Sequence, residues 1–185
     1  MGCAANRVVR VVPGEPIELA ADEAFLIVHI DTDVDLMGVK MHTGSVAREL
    51  PKGEHLWIVR VRGGEGRWRR VDFGREYGRR AHADLDTWTA ARRGEFLFEI
   101  DPGVINYPGS LVVRTEIYPG VKNGNRVEVR HRNRSAMAIR HLLDTHAEFL
   151  ASLPLHYGGS SGDGFLEFYG AERRRDHTDA QVDSE

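Results

Sequence analysis

Residues 29–36, His-Ile-Asp-Thr-Asp-Val-Asp-Leu, set one imidazole and three carboxylates on alternate positions: His29, Asp31, Asp33 and Asp35. On an extended strand all four side chains point to the same side. Oxygen donors beside an imidazole suit Ca²⁺, Mn²⁺ or Zn²⁺, held for structure or used to activate water. Without a cation, carboxylates buried together would leave at least one protonated. The competing expectation is that the apolar run ends at Ile30 and the aspartates mark where the strand leaves the core for water. A helix-loop-helix calcium site is excluded, because counting from Asp31 the required Gly and Glu are Leu36 and His42. A shorter copy of the pattern stands at His82, Asp84 and Asp86.

Other constellations carry less chemistry. Residues 158–162, Gly-Gly-Ser-Ser-Gly, match a nucleophile-elbow pattern in form. They lack the strand before and the helix after that such an elbow needs, and only His177 follows as a base. His141 and His146 are spaced i,i+5, which on one continuous helix puts them on different sides, unlike a zinc-binding i,i+4 pair. His146 falls on an apolar stripe and reads as a packed histidine. Trp57, Trp68 and Trp88 are candidates for a sugar- or peptide-binding face, with core use expected for Trp57. No phosphate-cradling glycine loop ending in Lys-Ser/Thr is present.

The elements that must position these residues are mostly strands. Residues 7–12 and 17–20 read as short strands, and 24–30 as a central strand buried on both faces. Residues 40–55 read as a connection broken at Gly44 and at Pro51-Lys52-Gly53. In 55–62 Trp57, Val59 and Val61 share a face, and the glycines of 63–66 suggest a hairpin back into 67–73. Further strands are expected at 95–100 (Phe96, Phe98 and Ile100 inward), 104–107, 111–118 and 126–131 (Val127 and Val129 inward), with Pro-Gly or Asn-Gly at the turns. Short strands joined by such turns predict a mainly β fold, an antiparallel β-sandwich over residues 7–132. From Ser135, read as an N-cap, the apolar period changes to 3.6 and predicts one amphipathic C-terminal helix ending at Pro154, packed on the sandwich. A short apolar segment, Phe165–Tyr169, completes a docked unit over 133–170. Residues 171–185 are polar throughout and predict a disordered tail.

The 185 residues have near-globular composition, with 41% hydrophobic and 29% charged side chains. Such a chain can bury a core without disulfides, and its single cysteine, Cys3, permits none within the chain. The net charge of −3 hides a positive middle: residues 60–93 carry 10 arginines against 5 acidic groups. Arg67, Arg69, Arg70, Arg79 and Arg80 are candidate contacts for an anionic envelope polymer or surface. A pI near 6.3, interleaved acids and the absence of any recognition-helix or zinc-finger pattern argue against nucleic acid as a partner.

The chain opens Met-Gly-Cys-Ala-Ala-Asn. Gly2-Cys3 resembles the end of a bacterial lipobox, and the resemblance implies lipidation of Cys3, with residues 1–6 as a membrane tether and the hydrophobic part of the signal either lying upstream of Met1 or replaced by it. Ala4 then implies the periplasmic side of the outer membrane. Myristoylation does not fit, since Asn6 stands where Ser or Thr is wanted. Residues 98–111, Phe-Glu-Ile-Asp-Pro-Gly-Val-Ile-Asn-Tyr-Pro-Gly-Ser-Leu, resemble poorly characterised all-β domains of bacterial lipoproteins, a likeness that spans about residues 24–131. That family implies no catalytic residue. The leading expectation is therefore a non-enzymatic envelope lipoprotein, an accessory or binding module with no cofactor, whose partners are the membrane and an envelope protein or anionic polymer. The alternative is a divalent-metal-binding protein or metal-dependent enzyme using His29, Asp31, Asp33 and Asp35. A third reading is a cytoplasmic interaction protein with a free thiol.

Overall fold

The computed structural model describes residues 8–14, 16–74, 81–85, 94–117, 125–159 and 162–170. The chain is mainly β, with its strands in two sheets. The strands are β1 (Val9–Arg10), β2 (Glu23–Thr32), β3 (Leu36–Met41), β4 (Gly44–Leu50), β5 (Gly53–Arg62), β6 (Gly64–Phe73), β7 (His82–Asp84), β8 (Leu97–Ile100), β9 (Ile105–Tyr107), β10 (Ser110–Ile117), β11 (Asn125–Arg132) and β12 (Leu155–Tyr157). Helices α1 (Ser135–Thr145) and α2 (Ala147–Ser152) follow β11, and α3 covers 164–170.

The larger sheet runs β1-β5-β2-β10-β11, with β9 also beside β2 and β12 beside β9. The smaller runs β4-β3-β6-β7, with β8 also beside β6. β2 is the central element. Its even-numbered residues, Ala24 to Ile30, join a core that takes Trp57, Val59 and Val61 from β5 and Val39, Trp68, Val71 and Phe98 from the smaller sheet. Its odd-numbered residues Phe25 and Ile27 join a second core with Ile58, Ile105, Tyr107 and the helical residues Ala138, Ile139, Leu142, Phe149, Leu150 and Leu166. Burial on both faces is why residues 24–30 read as a continuous apolar run with no alternation.

Several expectations are corrected. The larger sheet is mixed: β10, β9 and β12 make parallel pairs with β2, β2 and β9 respectively. Pro108-Gly109 kinks the chain between two strands that both lie along β2, so a Pro-Gly pair taken for a reversal is a fork. Gly109 sits at φ 96°, and a Cβ there would lie 2.3 Å from His131 Nε2. The glycines of 63–66 do not turn a hairpin. β5 belongs to the larger sheet and β6 to the smaller, so Gly63 carries the chain across, leaving Trp57 and Trp68 in one core from opposite sides. The expected connection at 40–55 is largely the β3–β4 hairpin turning at His42-Thr43. The polar face and Gly38 of these outer strands dilute the alternation that would have marked them. No strand forms at 17–20; Ile17 and Leu19 pack against the helical core without a ladder.

The predicted single helix is two. His146 takes φ −146° and ψ 48°, which ends α1 and starts α2. That break brings the His141 and His146 rings to 6.2 Å, although i,i+5 spacing on a continuous helix would separate them. Ser135 is the first helical residue and not the cap. Arg134 holds the cap position with no side-chain cap bond, while Asn133 Oδ1 accepts from the Ser135 N–H at 3.1 Å. The short apolar segment Phe165–Tyr169 lies in α3.

In β6, Arg69 is an extra residue between the pairs Lys40↔Arg70 and Met41↔Trp68. This bulge lets Trp68 and Val71, three apart, both face the core. After β12 the chain crosses to the smaller sheet: Gly158 O accepts from Glu99 N at 2.9 Å, and Gly158 N donates to Tyr107 O at 3.1 Å. A Cβ on Gly158 would lie 2.1 Å from the Glu99 carbonyl oxygen. Gly158→Ala should therefore cost about 1–3 kcal/mol, roughly 2–4 °C of Tm for each kcal/mol in a chain of this size. Thermal unfolding followed by circular dichroism checks this, and an unchanged Tm would mean that the two backbones are not in contact.

Candidate functional site

His29 is completely buried on the helix side of β2, and its neighbours determine every proton it shares. Its Nδ1 lies 2.6 Å from Ser110 Oγ, and its Nε2 lies 2.8 Å from Glu54 Oε1. Ser110 Oγ is 2.7 Å from Tyr107 Oη, which accepts from the Arg134 N–H at 3.1 Å. The directions follow from the donor inventory. An ionised Glu54 only accepts, so His29 Nε2 carries the hydrogen and Nδ1 accepts from Ser110. Ser110 has then used its one proton, so Tyr107 donates to Ser110. The chain runs Arg134 N–H to Tyr107, to Ser110, to His29, to Glu54. Arg134 also closes it, because its Nη1 lies 2.8 Å from Asp31 Oδ2 and 3.5 Å from Glu54 Oε1.

A serine, a histidine and a carboxylate in hydrogen-bond contact have the components of a nucleophilic triad. Access is missing. Ser110 and His29 have no exposed surface, and Tyr107 occupies the serine oxygen where a substrate would have to approach. The arrangement works as a lock that fastens the β11–α1 connection to β2, β5, β9 and β10.

Burial, as the largest influence, holds the His29 pKa below its usual value despite the hydrogen bond it donates to Glu54. Protonation would require Nδ1 to donate to Ser110. Ser110 would turn its proton to Tyr107, whose own hydroxyl hydrogen, hemmed by the Arg134 N–H, would lose its acceptor. Burial pushes the Tyr107 phenol up to about 12, against the hydrogen bonds with Ser110 and the Arg134 N–H that work the other way, so it stays protonated throughout. Burial likewise lowers His131, His141 and His146.

The strand pattern does not gather its carboxylates. β2 ends at Thr32 and the chain bends at 33–34, so the alternation that would align the four side chains stops after Asp31. Asp31 pairs with Arg114 and Arg134. Although burial works against it, those two guanidiniums hold the Asp31 carboxyl below its ordinary pKa. Asp33 accepts from the Thr115 N–H at 3.0 Å, and Asp35 from the Lys52 N–H at 3.0 Å. Three aspartates thus serve three different places. Among the described residues, no group of three or more His, Cys, Asp or Glu side chains is placed to hold a metal ion. His82 and Asp84 lie on β7, while Asp86 and Trp88 lie outside the described residues.

The arginine-rich region forms part of a polar cleft of about 420 Å³ on the smaller sheet. Lys40 from β3, Arg69 and Arg70 from β6 and the β3–β4 turn, with His42, Thr43 and Ser45, line it; Asp84 is its acidic member. Lys40 and Arg70 stand directly opposite one another across the ladder. Such like-charged neighbours repel, and Asp72 answers both, 3.3 Å from Lys40 Nζ and bonded to Arg70 Nε. The His42 pKa is lowered first by burial and then by the positive field of Arg67, with Arg69 adding to it. Arg67 pairs with Glu65 at 3.2 Å. Arg79 and Arg80 lie outside the described residues, as do Cys3, the 1–6 segment and the 171–185 tail. The roles of Ser110, Tyr107, Glu54 and Arg134 were not expected from the sequence; nothing local marks them, since only strand register brings them to His29.

No family model matches this chain, and no curated protein or solved structure matches it either. Among the described residues no helix is long and apolar enough to cross a membrane.

Two outcomes follow from the buried chain. Ser110→Ala leaves His29 Nδ1 without a donor and the Tyr107 hydroxyl hydrogen without an acceptor, and should cost about 1–3 kcal/mol. For pH the sign is fixed: a histidine with a lowered folded pKa takes up its proton more readily when unfolded. Its stabilisation is complete above the unfolded value, 6.5, and is lost as pH falls below it toward the folded pKa. Urea unfolding should show stability falling from pH 7 to about 5, with a shallower fall in His29→Gln. An equal slope in that variant would show that His29 does not titrate with folding.

Proposed function

We propose that this chain is a two-sheet β-sandwich that binds rather than transforms, taking the anionic groups of a cell-envelope polymer in the cleft between Lys40, His42, Arg69 and Arg70. The observation that carries the reading is the cleft itself. It collects cationic side chains from two strands and hydroxyls from a turn in one depression. Packing of both sheets on one core supports the sandwich. Burial of Ser110 and His29 supports a non-enzymatic role, because the residues with the best catalytic geometry have no route to substrate. The proposal includes a bacterial lipoprotein tethered through Cys3 on the periplasmic side of the outer membrane, supported by Gly2-Cys3 and by the resemblance of residues 98–111.

Calorimetric titration with polygalacturonate, a carboxylate polymer, and dextran sulfate tests the cleft. Binding should weaken steeply between about 20 and 200 mM salt, as screening of a surface charge cluster requires. Lys40→Gln with Arg69→Gln should weaken it about tenfold, a loss of about 1.4 kcal/mol. Absence of binding to either polymer at the lower salt, or equal binding by the double variant, would overturn the reading.

A further inference from the structure

A second recess of about 360 Å³ lies where β4, the outermost strand of the smaller sheet, faces β5 of the larger one. Val46, Leu50, Leu56 and Trp57 supply its apolar lining, and Arg10 and Arg48 its cationic ends. Along one wall runs an incompletely paired strand edge. β1 pairs with β5 only at Val9↔Arg60 and Arg10↔Val59, and Val11 N then donates to Ile58 O. From there the chain turns away, with Val11 packed in the helical core. Among the described residues, 53–57 of β5 have no strand partner on that side, although all of them pair with β2 on the other.

We propose that this edge docks an extended acidic peptide, which adds to β5 as a strand in the place that β1 vacates. The ladder directions favour this. Ile58 directs its carbonyl toward β1, so Leu56 and Glu54, of the same parity, direct their backbone N–H and C=O groups the same way. Five residues of edge, about 16 Å, suffice for a short strand. The opposite wall cannot take the peptide instead. Glu49 of β4 has φ 50°, which departs from extended geometry and interrupts that edge as a template. β4 contributes side chains and β5 the ladder, the division of labour seen in strand addition.

Charge selects the acidic partner. Among the described residues Arg48 is exposed and has no ion pair, and Arg10 lies over the Trp57 ring at 5.5 Å with no carboxylate beside it. Glu54, the carboxylate of the recess, accepts a hydrogen bond from the neutral His29 at 2.8 Å and is paired in charge with Arg134 at 3.5 Å. His55 Nε2 bonds to the Pro51 carbonyl. The two arginines are the uncompensated charges.

The test is fluorescence anisotropy of the full chain with a labelled peptide of alternating Glu and Val, against its Lys-Val counterpart. The acidic peptide should saturate at one per chain and the basic one should not bind. N-methylation of alternate peptide nitrogens should weaken binding about tenfold or more, the loss expected for removing two main-chain hydrogen bonds. This holds on unaltered protein, so it does not depend on a variant folding. The R10E/R48E pair, with melting checked, should reverse the preference to the Lys-Val peptide. Equal binding of both peptides, no loss on N-methylation, or no saturation by about 1 mM would overturn the proposal. Blockage by concentration-dependent self-association would overturn it in favour of a second copy as occupant. Because the polymer cleft uses Lys40 and Arg69, neither result decides the other.

Discussion

The rest of the structure depends on how one buried imidazole is satisfied. His29 stands in the middle of the most apolar strand of the protein with no exposed surface, where an unpaired polar group carries a heavy desolvation penalty. Its two nitrogens are answered by Ser110 of β10 and Glu54 of β5, the strands on either side of β2. The imidazole therefore reports whether both neighbours are in register. A shift of β10 by one residue would carry Ser110 to the other face and leave Nδ1 bare. The same chain ends on Arg134, so the entry to α1 is tied to the register of the sheet it covers.

That tie matters because the larger sheet has to do two things at once. One face belongs to the core shared with the smaller sheet, the other to the core under the helices. Forking makes both possible. β9 and β10 divide the length of β2, letting β12 attach to one branch and β11 to the other. β6 repeats the device, meeting β8 over its first half and β7 over its second. At the β9–β10 fork Gly109 leaves no room for a side chain against the His131 ring, and after β12 Gly158 leaves none against the Glu99 backbone.

What could be read in the sequence followed from one-dimensional patterns. The doubly buried β2, the inward faces of Trp57, Val59, Val61, Val127 and Val129, and the change to helical period after Ser135 all depend on neighbours a few residues away. The sheet to which a strand belongs depends on distant ones. The glycines of 63–66 have the composition of a hairpin, but β5 and β6 join different sheets, and Pro102 packs where a Gly63 side chain would stand. The His/Asp pattern fails for a related reason: alternation places side chains on one face only while the strand lasts, and β2 ends at Thr32. Asp33 and Asp35 then answer backbone N–H groups of Thr115 and Lys52 that no local signal announces. The arginine-rich region was legible as charge, but Lys40 comes to face Arg70 only through the β3–β6 register and the bulge at Arg69.

Exposed strand edges invite unwanted pairing, and most of the edges here are blunted. β12 and β7 are three residues long, β4 is broken by the backbone of Glu49, and β11 alternates Arg126, Glu128 and Arg130 along its length. β5 is the exception, since its own alternation over 54–57 includes Leu56 and Trp57, and the strand that should cover it stops after two residues. A long capping strand would have been an easy continuation of Val8–Val12. Val11 instead commits the chain to the helical core. The same turn that completes the helical core thus leaves the β5 edge uncovered, and Arg10, the last residue before it, remains over Trp57 at the mouth of the recess.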